Sequence, residues 1–228
     1  MKYQGIFFDI GWTLMRPRRS WFLSDFLYHM LPHGTEEALL SPAFESAMFI
    51  LDEQHKMQTL EQEEHRFFLF YQEVFSQLPQ LGLDTSAAKA VAHDKVYNYK
   101  NYIFFEDALP VLTRLKKHFR LGIISDTWPS ATEFLKEAGL YDLFDSITFS
   151  CDLGVFKPNA ALYRHALTGL KLPPQETIFV DDCPECLAGA EDLGILPIQI
   201  LNKPGLRPAP HFLHAKDLTA LEPLVTNL

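Results

Sequence analysis

Gly5-Ile6-Phe7-Phe8-Asp9-Ile10-Gly11-Trp12-Thr13-Leu14 is the stretch on which the fold turns. An unbroken apolar run ends in an aspartate, and a glycine-containing turn follows. This is the pattern of a buried parallel strand that delivers a carboxylate to its C-terminal edge, where open α/β sheets keep their chemistry. Further apolar runs at 121–125, 177–181 and 198–201, and a weaker one at 146–150, predict more strands. The strand at 198–201 is expected to begin just after Pro197, because proline lacks a ladder donor. Helical patterns alternate with these runs at 108–118, 130–138, 159–167, 185–193 and 217–225. Strands separated by single helices imply right-handed crossovers and a doubly wound sheet.

Residues 16–106 interrupt that alternation. Apolar residues recur there at helical spacing: Trp21-Phe22, Phe26-Leu27 and Met30-Leu31 on one face, then Phe44, Met48 and Leu51 on another. Thr59 followed by Gln62 predicts a capping box for a helix through 67–75. Gly82 and Asp84 punctuate, and a last helix is expected over 86–99. The chain therefore reads as a Rossmann-like, three-layer α/β core (1–15 and 107–228). An all-helical cap (16–106) is inserted after the first strand, with hinges near 16–19 and 102–107. Residues 204–210 read as a loop.

The 228 residues can hold one α/β domain with a sizeable insertion, and 47% hydrophobic content supports a real core. A net charge of −9 argues against nucleic acid or an anionic membrane as partner. No apolar run is long enough to span a bilayer, the N-terminus shows no signal-peptide pattern, and a cytoplasmic monomer or homodimer is expected. Three cysteines do not make a disulfide framework.

Chemistry-bearing residues fall at the strand ends. Asp9 ends the first strand and Ser125-Asp126-Thr127 the second. Lys157-Pro158 precedes the helix from Asn159, and Asp181-Asp182 ends the strand from Thr177. Taken singly, each has a plain reading as a helix cap, turn former or surface charge. Adjacent carboxylates facing Asp9 repel one another, however, so a cation explains them better than capping does. Phosphoryl transfer needs an in-line nucleophile and positive groups around the equatorial oxygens.

Four motifs in this order, with a helical insert after the first, resemble the haloacid dehalogenase-like superfamily, mostly magnesium-dependent phosphatases with a mobile cap. The resemblance covers nearly the whole chain. It implies Asp9 as nucleophile, forming an aspartyl-phosphate. It implies Mg²⁺ held by Asp9, Asp182 and the Gly11 backbone carbonyl. Ser125 and Asp126 would bind phosphate, aided by a following helix N-terminus. Lys157 would supply a point charge, and Asp181 would orient Lys157 or metal-bound water.

One residue departs from the family pattern. Its phosphatases carry a second aspartate two residues past the nucleophile, which protonates the leaving group and later activates water. Here that residue is Gly11, and general acid–base catalysis is worth about 10²–10⁴-fold. Glycine permits a left-handed turn, and Trp12, which reads first as a packing residue that could fill the volume beside it, could also seal the cleft or stack on a substrate ring. Phosphonate-cleaving relatives also lack the aspartate and use a cap lysine; Lys56 lies in the insert but reads as an exposed helix residue. Dehalogenating relatives lack it too, but use no metal, whereas Asp181-Asp182 argues for one. The insert histidines His29, His33, His55 and His65 could supply a proton, though each also reads as a surface or interface residue. Cys183-Pro184-Glu185-Cys186 has C-x-x-C spacing, but the preceding carboxylates oppose thiolate formation. No second pair completes a zinc site. The expected function is a Mg²⁺-dependent phosphohydrolase acting on a small phosphorylated metabolite through Asp9, with an atypical or weakened acid–base step. The alternative is a phosphate-ligand binder or regulatory pseudo-enzyme of the same fold, with phosphonate cleavage or dehalogenation behind both.

Overall fold

The computed structural model describes residues 2–228; Met1, the first residue of the expected core segment, lies outside them. The strands are β1 (Gly5–Phe8), β2 (Met15–Pro17), β3 (Tyr102–Phe104), β4 (Arg120–Ser125), β5 (Ser146–Phe149), β6 (Thr177–Asp181), β7 (Leu196–Ile200) and β8 (Leu213–Ala215). The helices of the insert are α1 (Asp25–Met30), α2 (Ser41–Asp52), α3 (Leu60–Gln77) and α4 (Thr85–Tyr97). Those that follow are α5 (Ala108–Leu115), α6 (Ala131–Glu137), α7 (Ser150–Leu153), α8 (Ala160–Leu170), α9 (Pro184–Glu191) and α10 (Leu218–Thr226).

Six strands form one parallel sheet in the order β5-β4-β1-β6-β7-β8. Because β1 lies between β4 and β6, the loops leaving these three strands converge at one edge. Side chains alternate along β1: Ile6 and Phe8 pack with α5, α6 and α10, while Phe7 packs with α8 and α9 on the opposite face. All three are fully buried, each such burial contributing about 1.5–3 kcal/mol. Gly122 lets the Phe7 ring lie flat on β4; a Cβ there would come within 2.7 Å of it.

Two details differ from the sequence reading. Pro197 is the second residue of β7, opposite Phe179, rather than the residue before the strand. The three-residue β8 was not expected; two of its residues are exposed, so it carries no apolar run.

The segment between β2 and β3 builds its own apolar cluster, centred on Leu27, Phe44, Leu51, Phe67, Phe70, Tyr71 and Val91. The Thr59–Gln62 capping box is present at the start of α3. Trp21 and Phe22 do not lie on a helix: α1 begins only at Asp25, behind the Ser24 cap, and Phe26 is 41% exposed. The chain leaves and re-enters the core through β2 and β3, which pair antiparallel (Arg16 opposite Ile103) at the segments expected as hinges. No helix among the described residues is long and apolar enough to cross a membrane.

Candidate active site

Asp9 stands one residue beyond β1, its N–H donating to the Val180 carbonyl of β6 at 2.9 Å. The next turn is tight: the N–H groups of Thr13, Leu14 and Met15 all donate to the Ile10 carbonyl. Trp12, not Gly11, takes the left-handed conformation, with φ 56°. A bulky residue there costs about 1–2 kcal/mol, and strain of this kind gathers at functional sites. Gly11 is needed for space instead. A Cβ on it would meet Cη2 and Cζ2 of Trp21 at 3.2 Å and Asp9 Oδ2 at 3.8 Å. The volume a second carboxylate would take is therefore bounded by an indole from the insert.

Lys157 Nζ sits between two carboxylates, 2.6 Å from Asp9 Oδ1 and 2.7 Å from Asp181 Oδ2. Burial alone would lower its pKa; Asp181 and Asp9 overcome that and hold it well above the usual lysine value. Asp126 positions the lysine by accepting its backbone N–H at 2.9 Å, and burial pushes the Asp126 carboxyl up to about 6.

Asp9, Asp181 and Asp182 each bring a carboxylate oxygen within 4.8 Å of the others. Asp181 is engaged on both oxygens, by Lys157 and by the Cys183 N–H at 2.8 Å. Among the described residues no donor from another residue reaches the Asp182 carboxylate. Burial, then the charge of Asp9, hold Asp182 up at about 6. Three carboxylates against one ammonium leave a negative excess that a divalent cation would neutralise. The donor set is all oxygen, which suits a hard ion such as Mg²⁺. Asp9 and Asp182 could hold it with the Gly11 carbonyl, to which no backbone N–H among the described residues donates.

Asp9, Gly11, Trp12, Ser125, Asp126, Lys157, Asp181 and Asp182 all line one cavity of about 430 Å³. One expected contribution differs. The N-cap of α6 already holds an anion from the insert. This residue, Ser130, donates through N–H (2.7 Å) and Oγ (2.6 Å) to the buried carboxylate of Glu63 from α3. The positive end of the helix is thus occupied by the insert. The Asp181-Asp182 pair does not cap α9 either; Cys183 does, its sulfur accepting the Cys186 N–H at 3.3 Å.

The lining also includes Lys95, Trp21, Tyr102, Trp128, Cys183, Cys186 and Lys203, which the sequence did not single out as site residues. Only an N-terminal aromatic pattern hinted at Trp21, and it suggested helix packing. Lys56 is exposed and outside the cavity. His29, His33 and His65 are exposed as well. His55 is buried between insert and core, with Nε2 2.6 Å from Ser150 Oγ, and burial lowers it to about 4. All three cysteines are free thiols, and Asp9, Asp181 and Asp182 are the one cluster of potential metal ligands among the described residues.

A Rossmann-like sheet with a carboxylate-rich site at its C-terminal edge defines the class. The profile of the haloacid dehalogenase-like hydrolases matches residues 4–194, and the chain belongs to that family. Over 94 residues, 38% of the chain, it is 31% identical to bifunctional epoxide hydrolase 2 of Mus musculus, covering 17% of that protein. Over 118 residues it is 28% identical to a glyceraldehyde 3-phosphate phosphatase of Methanopyrus kandleri, covering half of each chain. The chain thus spans half or less of the length of these curated relatives. An L-2-haloacid dehalogenase of Xanthobacter autotrophicus shares the fold over 99% of both chains, with a TM-score of 0.71 at 18% identity.

Proposed function

We propose that the protein is a Mg²⁺-dependent phosphohydrolase acting on a small phosphate ester, with residues 16–106 as a cap over the core formed by 1–15 and 107–228. The observation that carries this reading is Lys157 held between Asp9 and Asp181 beside Asp182, which makes no salt bridge among the described residues. Asp9 attacks phosphorus, and the P–O ester bond breaks with its electron pair leaving on the alcohol oxygen. Water then hydrolyses the acyl phosphate, returning the Asp9 carboxylate and releasing inorganic phosphate. Lys157 pairs with Asp9 in the resting site and can turn to the phosphoryl oxygens. Ser125, buried in the lining, donates its hydroxyl to phosphate. Asp181 holds Lys157 in place. Bound Mg²⁺ would supply charge neutralisation for phosphate and carboxylates together.

Gly11 offers no proton to the leaving group, so esters whose alcohol leaves easily are favoured. Dehalogenation fits less well. A haloacid brings its own carboxylate to a site already rich in negative charge, with no phosphoryl group to recruit a cation. The test measures phosphate release from 4-nitrophenyl phosphate and chloride release from 2-chloropropionate, each with Mg²⁺ and with a chelator. Mg²⁺-dependent phosphate release alone supports the proposal. Chloride release that ignores the chelator replaces it with dehalogenation. Neither product, with Mg²⁺ and a phosphate analogue still raising Tm, supports a binder.

A further inference from the structure

The organic side of the cavity holds a lysine that the chemistry at Asp9 does not use. Lys95, on α4, is 6% exposed, and its Nζ donates to the Trp21 carbonyl at 2.8 Å and to the Tyr102 hydroxyl. An ammonium has three N–H groups, and the third finds no acceptor among the described residues. No carboxylate oxygen among them lies within 4.0 Å of it, because the nearby Glu63 is bound to Ser130 and Asp94 to Asn98 and Asn101. Burial lowers Lys95 to about 8, against the pull of Glu63 and Asp94, so it is still largely protonated at neutral pH. Glu63 and Asp94 lie near and the Phe67 and Tyr102 rings lie under the ammonium, but a buried ammonium that touches no carboxylate and keeps one N–H without an acceptor is costly unless an anion reaches it.

Around Lys95 the walls are aromatic: Trp21, Phe22, Tyr102, Trp128 and Phe134. Trp21 also bounds the space beside Gly11, where a proton donor to the leaving group would stand. The leaving group therefore meets a ring rather than an acid. A phenol, unlike an alkanol, departs without one.

Resting on the phosphohydrolase reading, we infer that the substrate is a small aryl phosphate bearing a second anionic substituent, whose ring lies among these aromatic side chains and whose substituent binds Lys95.

The experiment compares 4-carboxyphenyl phosphate with phenyl phosphate on the wild type and on Lys95→Met, a substitution of similar length that removes the buried charge. The wild type should prefer the carboxylated ester in kcat/KM by about 10- to 100-fold, the usual worth of a charge-assisted contact. In Lys95→Met that ratio should fall to near one. A wild type without preference overturns the inference, and so does a Lys95→Met enzyme that keeps it. The wild-type ratio decides even if the variant does not fold. If no ester is turned over, the phosphohydrolase reading fails, and binding of 4-hydroxybenzoate against phenol, read by titration calorimetry, then tests Lys95 alone. Preference for 4-hydroxybenzoate that is lost in Lys95→Met supports the anion site; equal binding of both rejects it.

Discussion

The Trp21 indole stands against Gly11, two of its ring carbons 3.2 Å from the point a Cβ would occupy. This contact joins the two unusual features of the site. The residue that would carry a general acid is a glycine, and the space it vacates is bounded by an aromatic ring from the insert. A 3.2 Å contact is tight but not forbidding, and Gly11 is not in the left-handed region. The obstacle to a carboxylate there is the ring, not the backbone.

Gly11→Asp alone should therefore gain little on alkyl phosphates. Gly11→Asp with Trp21→Ala should gain more, up to about 10²-fold in kcat/KM, the lower range of a positioned general acid. Steady-state kinetics on glycerol phosphate with both variants measure this. A full gain from Gly11→Asp alone would show that the indole yields freely.

Asp182→Ala should abolish stabilisation by Mg²⁺. The wild type should melt at a higher temperature when Mg²⁺ is added, because the ion relieves repulsion among Asp9, Asp181 and Asp182. A thermal melt of both proteins with and without the ion decides; the same Mg²⁺ shift in the variant would move the ion elsewhere.

Lys157→Met should cost about 3–5 kcal/mol of stability, since it leaves Asp9 and Asp181 buried and facing each other. The loss should shrink as pH falls, when a carboxylate takes a proton in the lysine's stead. Urea denaturation at pH 7 and pH 5 tests both statements. Equal stability to the wild type at pH 7 would mean that the pair is solvated.

Glu63 gives a pH dependence whose sign can be worked out. Burial raises it from the usual 4.5 to about 7, with the Ser130 hydrogen bonds opposing. The folded protein keeps a proton that the unfolded chain releases. That contribution is full below about pH 4.5 and is lost as pH rises to about 7, by up to about 3 kcal/mol at about 1.4 kcal/mol per unit. Lys95 changes its charge above this window. Glu63→Gln should flatten the decline between pH 5 and 7.5 in denaturant titrations. An unchanged slope would assign it to other groups.

The core was legible because each of its signals is local. Apolar runs ending in Asp9, Ser125 and Asp181 mark buried strands with chemistry at their ends, and Thr59 with Gln62 marks a helix start. The short β2, β3 and β8 were not, since three residues of pairing leave no periodicity. Within the site, Asp9, Lys157, Asp181 and Asp182 were readable as motifs at strand ends. Trp21, Lys95, Tyr102 and Glu63 were not. They reach the cavity or its wall from the insert, and which insert residues meet the core depends on packing between segments far apart in sequence. The pairing at the α6 N-terminus was hidden for the same reason: Glu63, which accepts from Ser130 there, is 67 residues away.

The most direct test of the account is phosphate release from 4-nitrophenyl phosphate by the wild type and by Asp9→Asn in saturating Mg²⁺. Removing the nucleophile should lower the rate by about 10³-fold or more, while the folded variant keeps its wild-type circular dichroism. A wild type that releases phosphate and an Asp9→Asn variant that matches it would contradict nucleophilic catalysis by Asp9.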